Sequence, residues 1–275
     1  MTTAAPELVL PVAVRPAGRR RGPAMLSHQL RYDLLVLSRN RQARFFTLGL
    51  PVLMLLLFAT IFGKGSFTPP GTAHVSGTTY YVANQVAFGI VDAAFMALAI
   101  SLVAQRESGV LKRRRSTPEP AWVLVASRGL TGAVSAVALA ALLLAIGAGA
   151  FGVVVPWRTL PALVTAVCVA TASMGCLGFA MTGVINKLDS AQPVVMAATM
   201  PLFFLSGVFI PWFLVPTWLQ HVAVVFPVRH VAAAVLTPFT ARHGLGFAWG
   251  DLAVVALWGV AGLAVARRRF RWAPR

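Results

Sequence analysis

Six apolar stretches dominate the 275-residue sequence, and each is close to the length that a helix needs to cross a lipid bilayer. A hydrocarbon core about 30 Å thick requires about 20 mostly apolar residues in one helix. The stretches lie at residues 45–62, 81–103, 126–155, 160–184, 193–210 and 247–266. The sequence therefore predicts an all-α membrane protein with six transmembrane helices.

Basic residues lie in the gaps between these apolar stretches. The chain has 24 Lys and Arg against 7 Asp and Glu, which gives a formal net charge of +17, yet only 11% of its residues are charged. Nucleic-acid binding would require basic residues spread over a folded polar face. This distribution instead favours a membrane protein surrounded by lipid, without a nucleic-acid partner.

The same basic residues predict the orientation. If the N-terminus is cytoplasmic, 20 of the 24 Lys and Arg fall on the cytoplasmic side and 4 on the opposite side. Loops rich in Lys and Arg stay in the cytoplasm, so we expect both termini there. Arginine outnumbers lysine 21 to 3, which suggests a GC-rich bacterial source and a location in the bacterial plasma membrane.

The segment before the first span divides into two parts. Residues 1–24 contain four prolines and three consecutive arginines, which predicts a flexible cytoplasmic tail. In segment 25–44, leucines recur at helical spacing with Arg31, Asp33 and Arg39 between them. This pattern is typical of an amphipathic helix that lies along the membrane surface.

The cytoplasmic segment 104–122 contains the sequence QRESGVLKRRRSTPEPAW. Glu107 and Gly109 stand just beyond the predicted membrane edge, four basic residues follow, and Thr117 with Pro118 would stop a short helix. One interpretation is that these charges only anchor the loop in the cytoplasm. The other is that a short helix held between two spans transmits force to both of them.

Segment 211–242, on the opposite side, is too apolar for an ordinary loop. Pro216 and Pro227 leave only ten residues between them, too few for a seventh span. Aromatic residues such as Trp218 suit a membrane interface. We therefore predict short helices that dip into the outer interface as a re-entrant segment before the last span.

Catalytic and metal-binding motifs are missing from the sequence. Its five histidines form no His-Glu-x-x-His pair, no Gly-x-Ser-x-Gly motif occurs, and FGKG lacks the other residues of a phosphate-binding loop. We expect no catalytic residue, metal or cofactor on this chain. If ATP drives it, another chain must bind the ATP and its magnesium.

Asp92 is the one ionisable residue near the predicted centre of the bilayer. It precedes Arg106 by 14 residues, which is roughly 21 Å along a helix. An intramembrane charge is costly and often functional, so Asp92 could act in substrate or proton movement. The alternative is a packing role in which it bonds to a polar group such as Asn84. Pro201 should kink the fifth span. Asn84, Asp92 and Pro201 together form a candidate translocation pathway.

Two blocks of sequence, taken together, form a recognisable pattern. The first is QRESGVLKRRRSTPEPAWVLVASRGL, and the second is LSGVFIPWFLVPTWLQHVAVVFPVRHVAAAVL. They resemble two blocks of the ATP-binding-cassette type 2 permeases: a Glu-Arg-x-x-Gly-x-Leu-like loop with a Thr-Pro pair, and a Ser-Gly-x-Phe-x-Pro segment before the last span. The resemblance extends over nearly the whole chain after Met25 and points to the daunorubicin-resistance-like subgroup.

This resemblance implies that segment 25–275 is a six-span exporter domain, which pairs with a second permease copy and with a separate cytosolic ATPase. Segment 25–44 would be the interface helix and segment 104–122 the coupling loop. The implied coupling residues are Glu107, Gly109, Leu111, Arg113, Arg114, Thr117 and Pro118. The implied residues of the outer re-entrant segment are Gly207, Pro211, Pro216, Trp218, Pro227 and Arg229.

The resemblance also implies efflux of a hydrophobic or amphipathic molecule, such as a drug, a natural product or a lipid-like compound. It leaves open whether the second permease copy is identical or a sibling chain. Two other functions are alternatives on the sequence: a secondary transporter driven by protons through Asp92, and a membrane-embedded lipid-modifying enzyme. The enzyme would need clustered acidic residues or histidines at one membrane face, whereas Asp92 stands alone in its span.

Overall fold

The computed structural model describes residues 22–67, 74–109, 121–155, 157–185, 187–241 and 244–269. Almost all regular structure in these ranges is helical. The helices are α1 (Gly22–Arg39), α2 (Phe45–Phe62), α3 (Gly77–Glu107), α4 (Ala121–Phe151), α5 (Leu160–Thr182), α6 (Leu188–Leu205), α7 (Thr217–Ala223), α8 (Pro227–Thr240) and α9 (Trp249–Arg269). Two short strands, β1 (Ser66–Phe67) and β2 (Val75–Ser76), form an antiparallel pair after α2.

Six of these helices, α2 to α6 and α9, are long and apolar enough to cross a membrane. The prediction of an all-α membrane protein with six spans is confirmed. The ends differ most at α6, which runs from Leu188 to Leu205 although the apolar pattern placed this span at 193–210. The apolar pattern leaves out the first turn of this helix because Asp189 and Ser190 are polar, although a carboxylate is favourable at a helix N-terminus.

Helix α3 lies at the centre of the bundle and is the most buried of the six spans. It contacts α2, α4, α5 and α8. Around it, α5 and α9 form the most extensive helix pair, and Gly259 of α9 makes this possible. A Cβ at Gly259 would lie 2.6 Å from the Ser173 hydroxyl oxygen, so the two backbones approach closely because no side chain separates them.

Two π-helical turns interrupt the α-helical geometry of the spans. One forms the first turn of α2 at Phe45–Gly49, and the other lies in the middle of α3 at Asp92–Met96. A π turn inserts an extra residue, which rotates the side chains that follow it, and such turns occur often at functional sites. Asp92 therefore begins the part of α3 where the helix face changes.

The bundle has two ends that differ in structure. The loop end is where α3 finishes at Glu107 and α4 begins at Ala121, and the far end carries the strands, α7 and α8. The axes of α7 and α8 meet at 94°. The segment between α6 and α9 thus contains two short helices, as predicted, instead of one straight span.

Candidate functional site

The loop end of α3 is shaped by its last residues. The Ser108 amide donates to the Ala104 carbonyl at 3.0 Å, and the Gly109 amide donates to the Arg106 carbonyl at 3.2 Å. Gly109 has φ of +70°, a conformation that glycine adopts without steric cost. The helix therefore ends in a left-handed glycine cap, which fixes the direction in which the chain leaves the bundle.

Arg106, in the last turn of α3, is buried although it is charged, with 5% of its surface exposed. Its guanidinium donates to the Thr182 carbonyl at 2.9 Å and also to the Ile185 carbonyl. Thr182 is the last residue of α5, where the last backbone acceptors of a helix lack partners within it, and Ile185 follows three residues later. A cation is favourable at this position because the helix C-terminus carries a partial negative charge.

Glu107 makes a second contact from the same turn of α3. Its Oε2 accepts a hydrogen bond from the Leu188 amide at 2.5 Å, at the first residue of α6. A carboxylate is favourable at a helix N-terminus because that end carries a partial positive charge. Arg106 and Glu107 together attach the end of α3 to the end of α5 and the start of α6, and we call these contacts the α3 clamp.

A second set of contacts attaches α1 to α4. Asp33 Oδ1 lies 3.1 Å from an Arg128 guanidinium nitrogen and accepts a further hydrogen bond from the Gln29 amide at 3.0 Å. Asp33 is 5% exposed, so its carboxylate is partly removed from water and the ion pair is weakly screened. We call this contact the α1 clamp.

The two clamps flank the predicted coupling loop in sequence. The α3 clamp immediately precedes Gly109, and Arg128 of the α1 clamp lies in the first turns of α4. Of the predicted coupling residues, the structure places Glu107 and Gly109 at the end of α3. Leu111, Arg113, Arg114, Thr117 and Pro118 lie outside the described residues.

The predicted interface-helix residues occupy different faces of α1. Asp33 points inward to the clamp, whereas Arg31 and Arg39 are exposed. Helix α1 begins at Gly22, three residues before the predicted start at 25. Sequence reasoning missed Arg106 and Arg128 as structural partners, because it counted both only as cytoplasmic charges. The available signal was their position within one turn or two of a predicted span end.

The candidate pathway residues lie on two helices, Asn84 and Asp92 on α3 and Pro201 on α6. Asn84 is buried, and its amide donates to the Tyr80 carbonyl at 2.9 Å within the same helix. No hydrogen bond joins Asn84 to Asp92, which stands eight residues further along the same helix. The Asp92 side chain is half-buried at the π turn, and Pro201 lies inside α6, which continues through it to Leu205.

Tyr80 organises the far end of the bundle. Its hydroxyl donates to the Gly207 carbonyl at 2.8 Å and accepts from the Trp212 amide at 3.2 Å. Gly207 has φ of +92°, which directs the chain back across the end of α3. One buried hydroxyl thus joins α3 to the segment that follows α6.

The remaining far-end contacts attach α7 and α8 to their neighbours. The Arg229 guanidinium lies 4.0 Å from the ring centroid of Trp212, a cation–π geometry. His230 contacts Asp251 Oδ1 through Nδ1 and the Val224 carbonyl through Nε2, each at 2.7 Å. Since both partners accept hydrogen bonds, both ring nitrogens must carry hydrogen when Asp251 is ionised.

The predicted prolines mark where helical elements begin at this end. Pro211 precedes the 3-10 turn Trp212–Leu214, Pro216 caps α7, and Pro227 is the first residue of α8. Proline suits such positions because the first amides of a helix have no partner within it. Trp218 is 67% exposed on α7, as an aromatic residue at a membrane interface would be.

Comparison with protein families matches most of this chain. The model of the ABC-2 type transporter family matches residues 27–239, a range that includes both clamps and the Tyr80 contacts. A comparison with curated proteins finds no match. Because the family match covers well over half of a chain with six membrane-spanning helices, the protein belongs to the ABC-2 type transporter family and is a multi-pass transport permease.

Proposed function

We propose that this chain is the permease subunit of an exporter that moves a hydrophobic or amphipathic molecule out of a bacterial cell. A separate cytosolic ATPase would supply the energy, and a second permease copy would complete the pathway. The daunorubicin-resistance-like resemblance favours a drug or natural product as cargo. Both termini would lie in the cytoplasm of a plasma-membrane protein, in line with the distribution of its basic residues.

The observation that carries this proposal is the pair of clamps on either side of the coupling loop. Arg106 and Glu107 connect the start of the loop to α5 and α6, and Asp33 with Arg128 connects the region after the loop to α1. A force on the loop would therefore reach three other helices, α1, α5 and α6. Loop anchoring alone would not require such contacts.

The mechanism follows from this connection. Closure of the ATPase pair around ATP would move the loop, and the α3 clamp would transfer that movement to the ends of α5 and α6. Packed helices respond to such displacements by shifting as rigid elements. The two permease copies would then pass from an inward-open to an outward-open arrangement.

The test is ATPase coupling in purified complexes. The tagged chain is isolated from its native membrane, and a bound ATPase with Walker motifs is expected to purify with it. In reconstituted complexes, Glu107→Ala and Gly109→Pro should abolish the stimulation of ATP hydrolysis, while Glu107→Gln, which keeps an acceptor for the Leu188 amide, should retain part of it. Normal stimulation in both of the first two variants, or no bound ATPase, would contradict the proposal.

Asp189→Ala is the matched control. Asp189 is an exposed carboxylate next to Leu188 in the first turn of α6, so its removal changes the local charge but leaves the α3 clamp intact. We expect normal coupling in this variant. Loss of coupling in Asp189→Ala would show that ATPase coupling depends on the negative charge near the start of α6 and not on the α3 clamp.

A second candidate function is proton-coupled transport through Asp92. Its support is the half-buried carboxyl group at a π turn in the most buried span. An Asp92→Asn variant in proteoliposomes separates the candidates. Loss of proton-dependent efflux, with no requirement for an ATPase, would favour the secondary transporter, whereas efflux that still requires ATP would favour the exporter.

A further inference from the structure

A cavity of about 410 Å³ lies at the loop end, between α1, the start of α2, the second half of α3 and α4. This volume is within the range of about 300 to 1,000 Å³ that is typical of small-molecule sites. None of the three candidate pathway residues, Asn84, Asp92 and Pro201, lines this cavity. The cavity is therefore separate from the candidate pathway, and it lies beside the α1 clamp.

Two hydrogen-bond acceptors in the wall of this cavity have no partner. Asp33 Oδ2 and Gln105 Oε1 are buried, and neither bonds to any residue in the part of the chain that the structure describes. Asp33 itself is 95% buried, since 5% of its surface is exposed. Buried acceptors are almost always satisfied in proteins, so each of these two atoms requires a donor.

Two hydroxyl groups of the cavity wall donate to backbone carbonyls instead. The Ser101 hydroxyl donates to the Leu98 carbonyl at 3.0 Å, and the Thr131 hydroxyl donates to the Ser127 carbonyl at 2.8 Å. The Arg128 and Gln29 donors lie on the other oxygen of Asp33, Oδ1. No described residue therefore donates a hydrogen bond to Asp33 Oδ2 or Gln105 Oε1.

We propose that the cavity binds the primary ammonium group of an amphipathic molecule. An ammonium group has three donors and no acceptor, so one group can serve both oxygens, whereas a hydroxyl group donates only once. Its positive charge complements the Asp33 carboxylate, and Arg128 on the opposite oxygen stays apart from it. The apolar part of the ligand would contact Val36, Ala93 and Leu98, which also line the cavity.

Two sources could supply this chemistry: the headgroup of a membrane lipid such as phosphatidylethanolamine, or a free amphipathic amine. The proposal goes beyond the transport function, because binding at this site does not depend on which molecule is exported. It also does not require the ATPase, so failure of the coupling test above leaves it unaffected.

The experiment measures binding of radiolabelled dodecylamine to the full chain in phosphatidylcholine nanodiscs, with empty nanodiscs subtracted. We expect saturable binding of one equivalent. Dodecyltrimethylammonium carries the same charge but has no N–H donor, and it should compete about tenfold less well, because hydrogen bonds to a charged group are worth about that factor. Gln105→Leu should weaken dodecylamine binding by about the same factor.

A filled cavity provides the second arm. Ser101→Phe places a bulky ring in the space and should abolish binding, whereas Ser38→Phe, on the exposed face of α1, should leave it unchanged. Thermal unfolding of each variant checks that it is folded, and Gln105→Leu alone decides the result if Ser101→Phe does not fold. Added phosphatidylethanolamine that displaces the probe assigns the site to a lipid headgroup, and persistent probe binding assigns it to a free amine.

Three results would overturn the proposal. The first is the absence of saturable binding above empty nanodiscs, which would leave water as the donor to both oxygens. The second is equal competition by dodecyltrimethylammonium, which would exclude hydrogen bonding by the headgroup. The third is unchanged affinity in both Gln105→Leu and Ser101→Phe, which would place the bound amine elsewhere.

Discussion

The two ends of the bundle are held together by different chemistry. At the loop end, charged side chains contact helix termini and each other: Arg106 on the end of α5, Glu107 on the start of α6, and Asp33 on Arg128. At the far end, a neutral hydroxyl and packed aromatic rings act beside the Arg229–Trp212 and His230–Asp251 contacts. Tyr80 bonds to Gly207, and Phe88 and Phe203 pack with ring centroids 4.8 Å apart.

This difference has a mechanical meaning. Contacts between a charge and a helix terminus depend on the position of the whole helix end, and they are lost when that end moves by a few ångströms. Packed aromatic rings and buried hydroxyl bonds hold a fixed arrangement because many atoms must move together. We therefore expect the loop end to be the part that moves during transport and the far end to be the part that stays assembled.

Arg106→Ala should have the largest effect. It removes the donors to Thr182 and Ile185 from a buried position, and leaving buried acceptors of this kind unpaired costs about 3 kcal/mol. The unfolding free energy in nanodiscs measures this loss. Arg267→Ala is the control, because Arg267 is exposed near the end of α9. Equal stability of the two variants would show that the α3 clamp does not hold the loop end together.

The α1 clamp should show a coupling free energy of about 2 kcal/mol between Asp33 and Arg128, since residues in contact couple by about 0.5 to 3 kcal/mol. A double-mutant cycle with Asp33→Asn and Arg128→Gln measures it from unfolding free energies. A second cycle replaces Arg128→Gln with Arg39→Gln, whose side chain is exposed on the same helix as Asp33. Similar coupling in the two cycles would mean that general charge, and not the contact, stabilises this end.

The sequence predicted the spans well and the clamps poorly, for one physical reason. Membrane spans follow from local hydropathy, which can be read from consecutive residues of the sequence. Clamp partners do not: Arg106 contacts carbonyls 76 and 79 residues further along the chain. Their proximity depends on how α3 and α5 pack. Within the span pattern, Arg106 is simply a basic residue at a membrane edge.

Asp33 and the π turns illustrate the same limit. Asp33 lies on helix α1, in the segment where the sequence predicts an amphipathic helix. A polar residue on such a helix is expected to be exposed, and the burial of Asp33 follows only from the position of Arg128. The extra residue of the π turn at Asp92–Met96 leaves no mark in the apolar pattern. At the far end, Pro211, Pro216 and Pro227 stand at or next to the starts of helical elements, a role that a local property of proline explains.

Tyr80→Phe tests the far end, and we expect a loss of about 1.5 kcal/mol in unfolding free energy, since the hydroxyl bonds to both Gly207 and Trp212. Coupling to the ATPase should persist in this variant. Tyr81→Phe is the control: its ring stacks on Phe58 with centroids 5.1 Å apart, and that contact survives without the hydroxyl. A loss of coupling in Tyr80→Phe with stability unchanged would reverse the roles assigned to the two ends.

The smallest expected effect is the difference between two of the glycines with positive φ, Gly109 at the loop end and Gly207 at the far end. Alanine at a positive φ costs about 1 kcal/mol at either position. A Cβ at Gly109 would have no atom of the described residues within 4 Å, whereas at Gly207 it would lie 3.1 Å from the Tyr80 hydroxyl oxygen. Gly207→Ala should therefore cost about 1 kcal/mol more than Gly109→Ala, because the Tyr80 contacts must shift as well.

Gly149→Ala provides the control for this pair, because Gly149 lies inside α4 with open space around its Cβ position. Alanine should stabilise that helix by about 0.5 to 1 kcal/mol. The effect of a glycine-to-alanine substitution on the unfolding free energy is therefore expected to change sign with the backbone conformation. Unfolding free energies of the three variants test the comparison directly. If Gly109→Ala lowered the unfolding free energy as much as Gly207→Ala, the loop end would be packed as tightly as the far end. The difference in packing would then give no reason to expect the loop end to move.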